Sequence, residues 1–127
     1  MSFTLIDQGS ENFEFRASVW NWKTLLEIVR SFDVISEGTL RQMSYNASGT
    51  PVSIDDAHLI GEKIRNEVLP KMGPGTRIFA DLSITDKPDD GTLYQDEDEK
   101  WKNYSADYEW LSEFCEFCFK SKGFQVF

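Results

Sequence analysis

The clearest structural signal in the chain lies in residues 105–123, which read SADYEWLSEFCEFCFKSKG. The apolar residues of this stretch cover an arc of roughly 200° on a helical wheel, and its polar residues form one narrow stripe. The pattern predicts a helix over residues 106–122, with Ser105 as N-cap and Gly123 as the residue that ends it. A helix with so wide an apolar face cannot lie on a surface, so we expect it to pack between other elements.

A second long helix is predicted over residues 20–32, where apolar side chains recur at helical spacing on one side. Either Ser18 or Asn21 can serve as its N-cap, because both side chains can accept a hydrogen bond from the first turn. Trp20 is an outlier, since it points to the polar side of this helix. A short helical turn is expected to follow over residues 36–42.

A third long helix is predicted to begin after Ser53, whose hydroxyl can cap the first turn, and Pro70 limits how far it extends. Gly61 lies within the apolar arc of this helix, where glycine costs about 1 kcal/mol relative to alanine. Close packing against another helix at that position would explain why glycine is tolerated.

Short strands are predicted near both ends of the chain. Residues 3–6 and 13–16 alternate in polarity and flank turn-forming residues, which is typical of a hairpin, and residues 124–127 can pair with one of them. Residues 78–84 place alternate apolar side chains on one face and predict a half-buried strand, whereas residues 44–51 read as a polar loop. The expected fold is a mainly helical α+β domain over residues 1–127, with three principal helices and a small antiparallel sheet near the termini.

The chain is strongly acidic, with 127 residues, 22 Asp and Glu against 13 Lys and Arg, and a formal net charge of −9. Such a charge repels phosphate backbones and anionic membranes, and no cluster of basic residues offsets it, so nucleic-acid and membrane partners are not expected. A basic protein partner or a cation is favoured by electrostatic steering. The sequence contains no membrane-spanning stretch and begins without the features of a secretory signal, so we expect a cytoplasmic protein.

Much of the acidity falls in residues 86–100, which hold seven acids and two lysines and carry a net charge of −5. Asp86, Asp90 and Glu97 match the first, fifth and last places of a 12-residue calcium loop. Pro88, however, occupies the third place, where an oxygen ligand belongs. A solvated acidic loop that binds no metal is the simpler interpretation, and calcium-type binding stays open as an alternative.

Aromatic residues are interleaved with acids at the end of this segment, a mixture that can bury area against a basic partner. The sequence predicts a partner-binding site formed by Tyr94, Asp96, Glu97, Asp98, Glu99, Trp101 and Tyr104. The alternative is that Trp101 and Tyr104 attach the loop to the core. Trp20 is a second candidate contact.

The remaining chemically reactive side chains are better explained as structural. Cys115 and Cys118 share the apolar face of the last helix, far from the helix N-terminus that would activate a thiol, and they predict reduced core cysteines. His58 is the only histidine and is expected at the rim of the third long helix, hydrogen-bonded to a neighbour. No catalytic motif or cofactor signature is present, so no cofactor is expected, and a small enzyme around His58 is only an alternative.

Three stretches carry a resemblance to a known group: WNW at 20–22, YNASGTPVS at 45–53, and EFCEFC at 113–118 followed by Gly123 and Phe124. In them the chain resembles a family of small bacterial proteins to which no activity is attached. The resemblance implies that the loop before the third long helix, and the last helix, are scaffold. More loosely, the small acidic chain is similar to bacterial immunity proteins, which neutralise toxins by binding them.

These observations favour a non-enzymatic protein-binding module of immunity or inhibitor type, which uses its acidic and aromatic segment on a basic partner. Calcium-type binding by residues 86–97 and an enzyme around His58 are the alternatives.

Overall fold

The computed structural model describes residues 2–10, 12–45, 48–86 and 104–127. The strands in these ranges are β1 (Ser2–Asp7), β2 (Glu14–Ser18), β3 (Thr50–Val52), β4 (Arg77–Phe79), β5 (Ile84–Thr85), β6 (Ser105–Asp107) and β7 (Phe124–Val126). The helices are α1 (Val19–Phe32), α2 (Glu37–Met43), α3 (Ile54–Lys63) and α4 (Tyr108–Lys120). After α3 the chain continues through a π-helical turn, Ile64–Val68, and a 3-10 turn, Leu69–Lys71.

The expected α+β class, with three long helices and an antiparallel sheet at the termini, is confirmed. The terminal sheet has the order β2-β1-β7-β3, and all of its pairings are antiparallel. β1 lies beside β7, with Leu5 opposite Val126, so the first and last strands of the chain hold each other in the sheet.

β3 was not expected, because the sequence reads as a polar loop up to Pro51. Thr50 and Val52 nevertheless point into the core, while Pro51 between them is exposed. Proline is tolerated here because β3 is the last strand in the order of this sheet, where a backbone N–H can be spared from the ladder.

A second sheet with the order β5-β4-β6 replaces the single strand predicted over residues 78–84, and that prediction was wrong. The chain turns sharply after Phe79: the carboxylate of Asp81 accepts hydrogen bonds from both the backbone N–H and the hydroxyl of Ser83, and Leu82 adopts a φ of 72°. Leu82 and Ile84 are therefore exposed rather than aligned with buried Ile78. A side-chain-stabilised turn outweighed the alternating pattern.

The helix starts follow local capping chemistry. Ser18 caps α1 by accepting from Asn21 N at 3.2 Å, so of the two caps the sequence allowed, Ser18 and Asn21, Ser18 is the one used. Ser53 caps α3 in the same way, as the sequence predicts. The cap of α4 is Asp107, which accepts from Trp110 N at 2.7 Å, and not Ser105. Ser105 is instead the first residue of β6, because pairing with β4 holds residues 105–107 extended.

The three long helices and both sheets contribute to one hydrophobic core. α4 packs against α3 at Gly61, where a Cβ atom would lie 3.0 Å from Cys118 Cβ and 3.4 Å from the carbonyl oxygen of Cys115. The expected close helix packing at Gly61 is confirmed. In the described part of the chain, the helices are all too short or too polar to cross a membrane.

Candidate functional site

Two of the aromatic residues predicted to contact a partner lie against each other on the surface. Trp20 sits in the first turn of α1, and Tyr104 immediately precedes β6, which packs beside α1. Their ring centroids are 5.4 Å apart. The ammonium group of Lys23, one turn further along α1, lies 4.4 Å from the centroid of the Tyr104 ring. We call Trp20, Lys23 and Tyr104 the aromatic cluster.

The position of the aromatic cluster follows from the register of α1. The cap at Ser18 fixes the start of the helix, so Trp22 enters the core, where its indole N–H donates to the carbonyl of Met43 at 2.9 Å. Trp20, two positions earlier, lies on a different face of α1, and its side chain is 39% exposed. A large aromatic side chain held at the surface by a second ring is well suited to bury area against a partner.

Most of the predicted binding segment falls outside the described residues. Tyr104 is described, as part of the aromatic cluster, but the acidic and aromatic residues before it are not: Tyr94, Asp96, Glu97, Asp98, Glu99 and Trp101. Their part in a partner-binding site therefore stays a prediction.

The same holds for most of the calcium pattern. Asp86 is exposed just beyond β5, and Asp90 and Glu97 lie outside the described residues. Among the residues that the structure describes, no group of three or more His, Cys, Asp or Glu side chains is placed to hold a metal ion.

A groove between α1 and α2, which the sequence analysis missed, adjoins the aromatic cluster. It has a volume of about 500 Å3, and Lys23 and Tyr104 line it together with apolar side chains from α1 and α2. We call it the α1–α2 groove. The only sequence signal for it is the stripe of charged residues on α1 at helical spacing, since the placement of α2 could not be read from the sequence.

Arg30 ties the two helices together beside the groove. Its Nε donates to Glu37 Oε1 at 2.8 Å, and a second guanidinium nitrogen bonds Glu27. The hydrogen bonds to Glu27 and Glu37 raise the pKa of Arg30, so it stays charged under all ordinary conditions. Arg30 is thus committed to a structural ion-pair network.

His58 lies at the surface of α3, where its Nε2 is 3.2 Å from the carbonyl oxygen of Ser121. The rim position and the hydrogen bond to a neighbour agree with the sequence prediction. The hydroxyl of Ser121 is turned away, since it donates to Asp7 at 2.9 Å. The contact joins α3 to the end of α4, and it does not place a nucleophile beside the imidazole.

The two cysteines are free thiols in the core, as predicted. Burial raises the pKa of Cys115 to about 12, and burial raises that of Cys118 well above its ordinary value. A thiol in that state is a poor nucleophile and a poor metal ligand, because both roles need the thiolate.

Asp7 is a buried carboxylate that sequence reasoning did not single out. Lys122 N at 2.7 Å, Ser121 Oγ at 2.9 Å and Gly9 N at 2.9 Å all donate to it. Burial alone would raise the pKa of Asp7, but the hydrogen bonds outweigh it and hold the pKa below its ordinary value of 3.8. These contacts join the end of β1 to the segment between α4 and β7, and they are structural.

No protein-family model, curated protein or solved structure matches the chain.

Proposed function

We propose that the protein is a non-enzymatic protein-binding module. Its contact surface combines the aromatic cluster with the acidic and aromatic residues before it, Tyr94, Asp96, Glu97, Asp98, Glu99 and Trp101. The observation that carries the proposal is the contact between the rings of exposed Trp20 and half-buried Tyr104, whose centroids are 5.4 Å apart. Tyr104 follows the acidic segment closely in sequence. Paired aromatic side chains of this kind are the usual anchors of protein interfaces, because they bury a large area at little entropic cost.

Electrostatics supports a basic partner. The chain carries a net charge of −9, and four consecutive acids, Asp96, Glu97, Asp98 and Glu99, lie within eight residues of Tyr104 in sequence. Charge of one sign beside an apolar anchor accelerates encounter with a partner of opposite sign and disfavours acidic competitors.

Within the class of binding modules, we propose an inhibitor of the immunity type, which blocks a basic protein by occupying its surface. The proposed location is the cytoplasm, where the two free, buried cysteines stay reduced. This role requires no catalytic group. It is consistent with a His58 that is hydrogen-bonded to a backbone carbonyl and with a Cys115 thiol whose pKa is raised by burial.

The test begins with capture of the partner from the native host by the immobilised protein, followed by titration of the purified partner. The test variant neutralises the acidic run through Asp96→Asn, Glu97→Gln, Asp98→Asn and Glu99→Gln. A matched control removes four exposed acids from α3 and α4 through Asp55→Asn, Glu62→Gln, Glu113→Gln and Glu116→Gln.

We expect a basic partner, a Kd that rises about tenfold or more in the test variant, and a smaller change in the control variant. Binding of the unmodified protein should also weaken as salt rises, because a charged interface is screened. Equal affinity in the two variants, or a captured partner that is acidic, would contradict the proposal.

A further inference from the structure

The α1–α2 groove combines an apolar floor with positive charge at its rim. The floor is formed by Phe3, Trp22, Leu26 and Leu40, each of which is at most 5% exposed and presents only an edge to the groove. Floors of this type, with a few polar groups at the edge, are typical of small-molecule sites.

Two cations on the rim have no carboxylate partner among the described residues. Lys23 contacts the Tyr104 ring, and Arg41 extends from α2; neither makes an ion pair with any side chain in the described ranges. The third cation, Arg30, is neutralised by Glu27 and Glu37. The described lining therefore holds three cations, Lys23, Arg30 and Arg41, against two carboxylates, Glu27 and Glu37. Its net charge is +1 in a chain whose net charge is −9.

We propose that the α1–α2 groove binds a small amphipathic carboxylate, with its apolar body on Trp22 and Leu40 and its carboxylate between Lys23 and Arg41. The groove volume of about 500 Å3 falls within the range of roughly 300–1,000 Å3 found for small-ligand pockets. The groove follows α1 from Val19 to Arg30, a separation of eleven residues or about 16 Å of helix. An extended small molecule no longer than this can lie along the groove.

The overall acidity of the chain does not prevent an anion from binding there. At physiological ionic strength the Debye length is about 8 Å, so distant acids are largely screened while the two rim cations act at contact distance. The site shares Lys23 and Tyr104 with the aromatic cluster, but ligand binding there requires neither the acidic segment nor a protein partner.

Decanoate is a suitable probe, because it joins an apolar chain to a carboxylate, and decyltrimethylammonium is its counterpart of opposite charge. Binding can be followed by NMR at the indole N–H of Trp22, whose resonance a Trp22→Phe variant identifies. That indole lies in the floor of the groove and donates to Met43 O, so a ligand there should shift its resonance.

The test variant is Lys23→Gln/Arg41→Gln, and the control is Lys71→Gln/Lys120→Gln, which removes two exposed cations elsewhere. We expect saturable shifts with decanoate below its micellar concentration, none with decyltrimethylammonium, and an affinity loss of about fivefold or more in the test variant only. Unchanged folding of both variants is checked by thermal melting.

Three results would overturn the inference. One is the absence of a saturable shift, and another is equal binding of the ammonium probe. The third is an affinity for decanoate that is the same in Lys23→Gln/Arg41→Gln as in the wild type.

Discussion

At the residue scale, the carboxylate of Asp7 is a buried charge held by hydrogen bonds from described residues. It is 6% exposed and accepts from three donors, two of them in the segment that follows α4. Asp7→Asn keeps one carbonyl oxygen but sets an amide NH2 group against the remaining donors. We predict a loss of about 2 kcal/mol in the free energy of unfolding at pH 7, measured by urea denaturation.

The pH dependence of this difference has a definite sign. Because the folded-state pKa of Asp7 lies below 3.8, the carboxylate stabilises the fold fully above that value and loses this contribution as the pH falls through it. The difference between the wild type and Asp7→Asn should be constant above about pH 5 and smaller at pH 3. Exposed Asp33 provides the control, since asparagine also tolerates its positive φ. An equal loss in Asp33→Asn would show that the Asp7 contacts are not the cause.

Cys115 and Cys118 are expected to be inert in the folded protein. Burial raises the pKa of both thiols, that of Cys115 to about 12, so almost no thiolate is present at pH 8. An aromatic disulfide reagent, followed by absorbance, should label neither thiol on the timescale of minutes and both thiols in denaturant. Fast labelling of the native protein would contradict the packing of α4 described above.

The roles of single residues could be predicted from the sequence where they depend only on residues nearby in the chain. The cap at Ser18 and the surface position of Trp20 follow from neighbouring residues on α1. Asp7 could not be found in this way, because Ser121 and Lys122 lie at the other end of the chain and only the pairing of β1 with β7 brings them close. The contact between the Trp20 and Tyr104 rings is likewise non-local, although both residues were candidates separately.

At the scale of secondary-structure elements, the contact between α3 and α4 depends on the missing side chain of Gly61. A Cβ atom there would lie 3.0 Å from Cys118 Cβ, which is fixed to the helix backbone and cannot move aside cheaply. We predict that Gly61→Ala destabilises the protein by about 1 kcal/mol, despite the higher helix propensity of alanine. Thermal and urea denaturation measure the change.

Gly38 in α2 is the matched control, because a Cβ atom there would meet nothing within 4 Å. Gly38→Ala should stabilise the protein by up to about 1 kcal/mol, since only helix propensity changes. Stabilisation of the protein by both substitutions would contradict the close packing of α3 against α4 at Gly61.

The errors at the element scale share one physical cause. The helices α1 and α3 were predicted well because periodicity and capping are local properties. β3, the β4–β5 hairpin and the cap of α4 were missed because each depends on pairing or turn contacts that override the local pattern. In α4, both Ser105 and Asp107 can cap a helix, and only the pairing of Ala106 with Ile78 decides between them.

At the scale of the whole molecule, the structural core and the proposed contact surface are formed by different residues. The terminal sheet and α4 pack in the core, and a hydrogen bond to Asp7 joins the two ends of the chain. Trp20 and Tyr104 are then left at the surface beside the α1–α2 groove, next in sequence to the most acidic part of the chain. Charge composition indicated a basic partner, whereas the contact between Trp20 and Tyr104 that the proposed surface uses depends on the tertiary structure.

The affinity of the captured partner for Trp20→Ala tests the proposed binding surface most directly. Tyr45→Ala is the control, since Tyr45 is another aromatic residue and is 61% exposed outside the aromatic cluster. Both variants should retain the fold, because neither ring is buried. We predict that Trp20→Ala raises the Kd about tenfold or more, as for an anchor near the centre of an interface, while Tyr45→Ala leaves the Kd within about twofold. Equal Kd values for Trp20→Ala and the wild type would contradict the account.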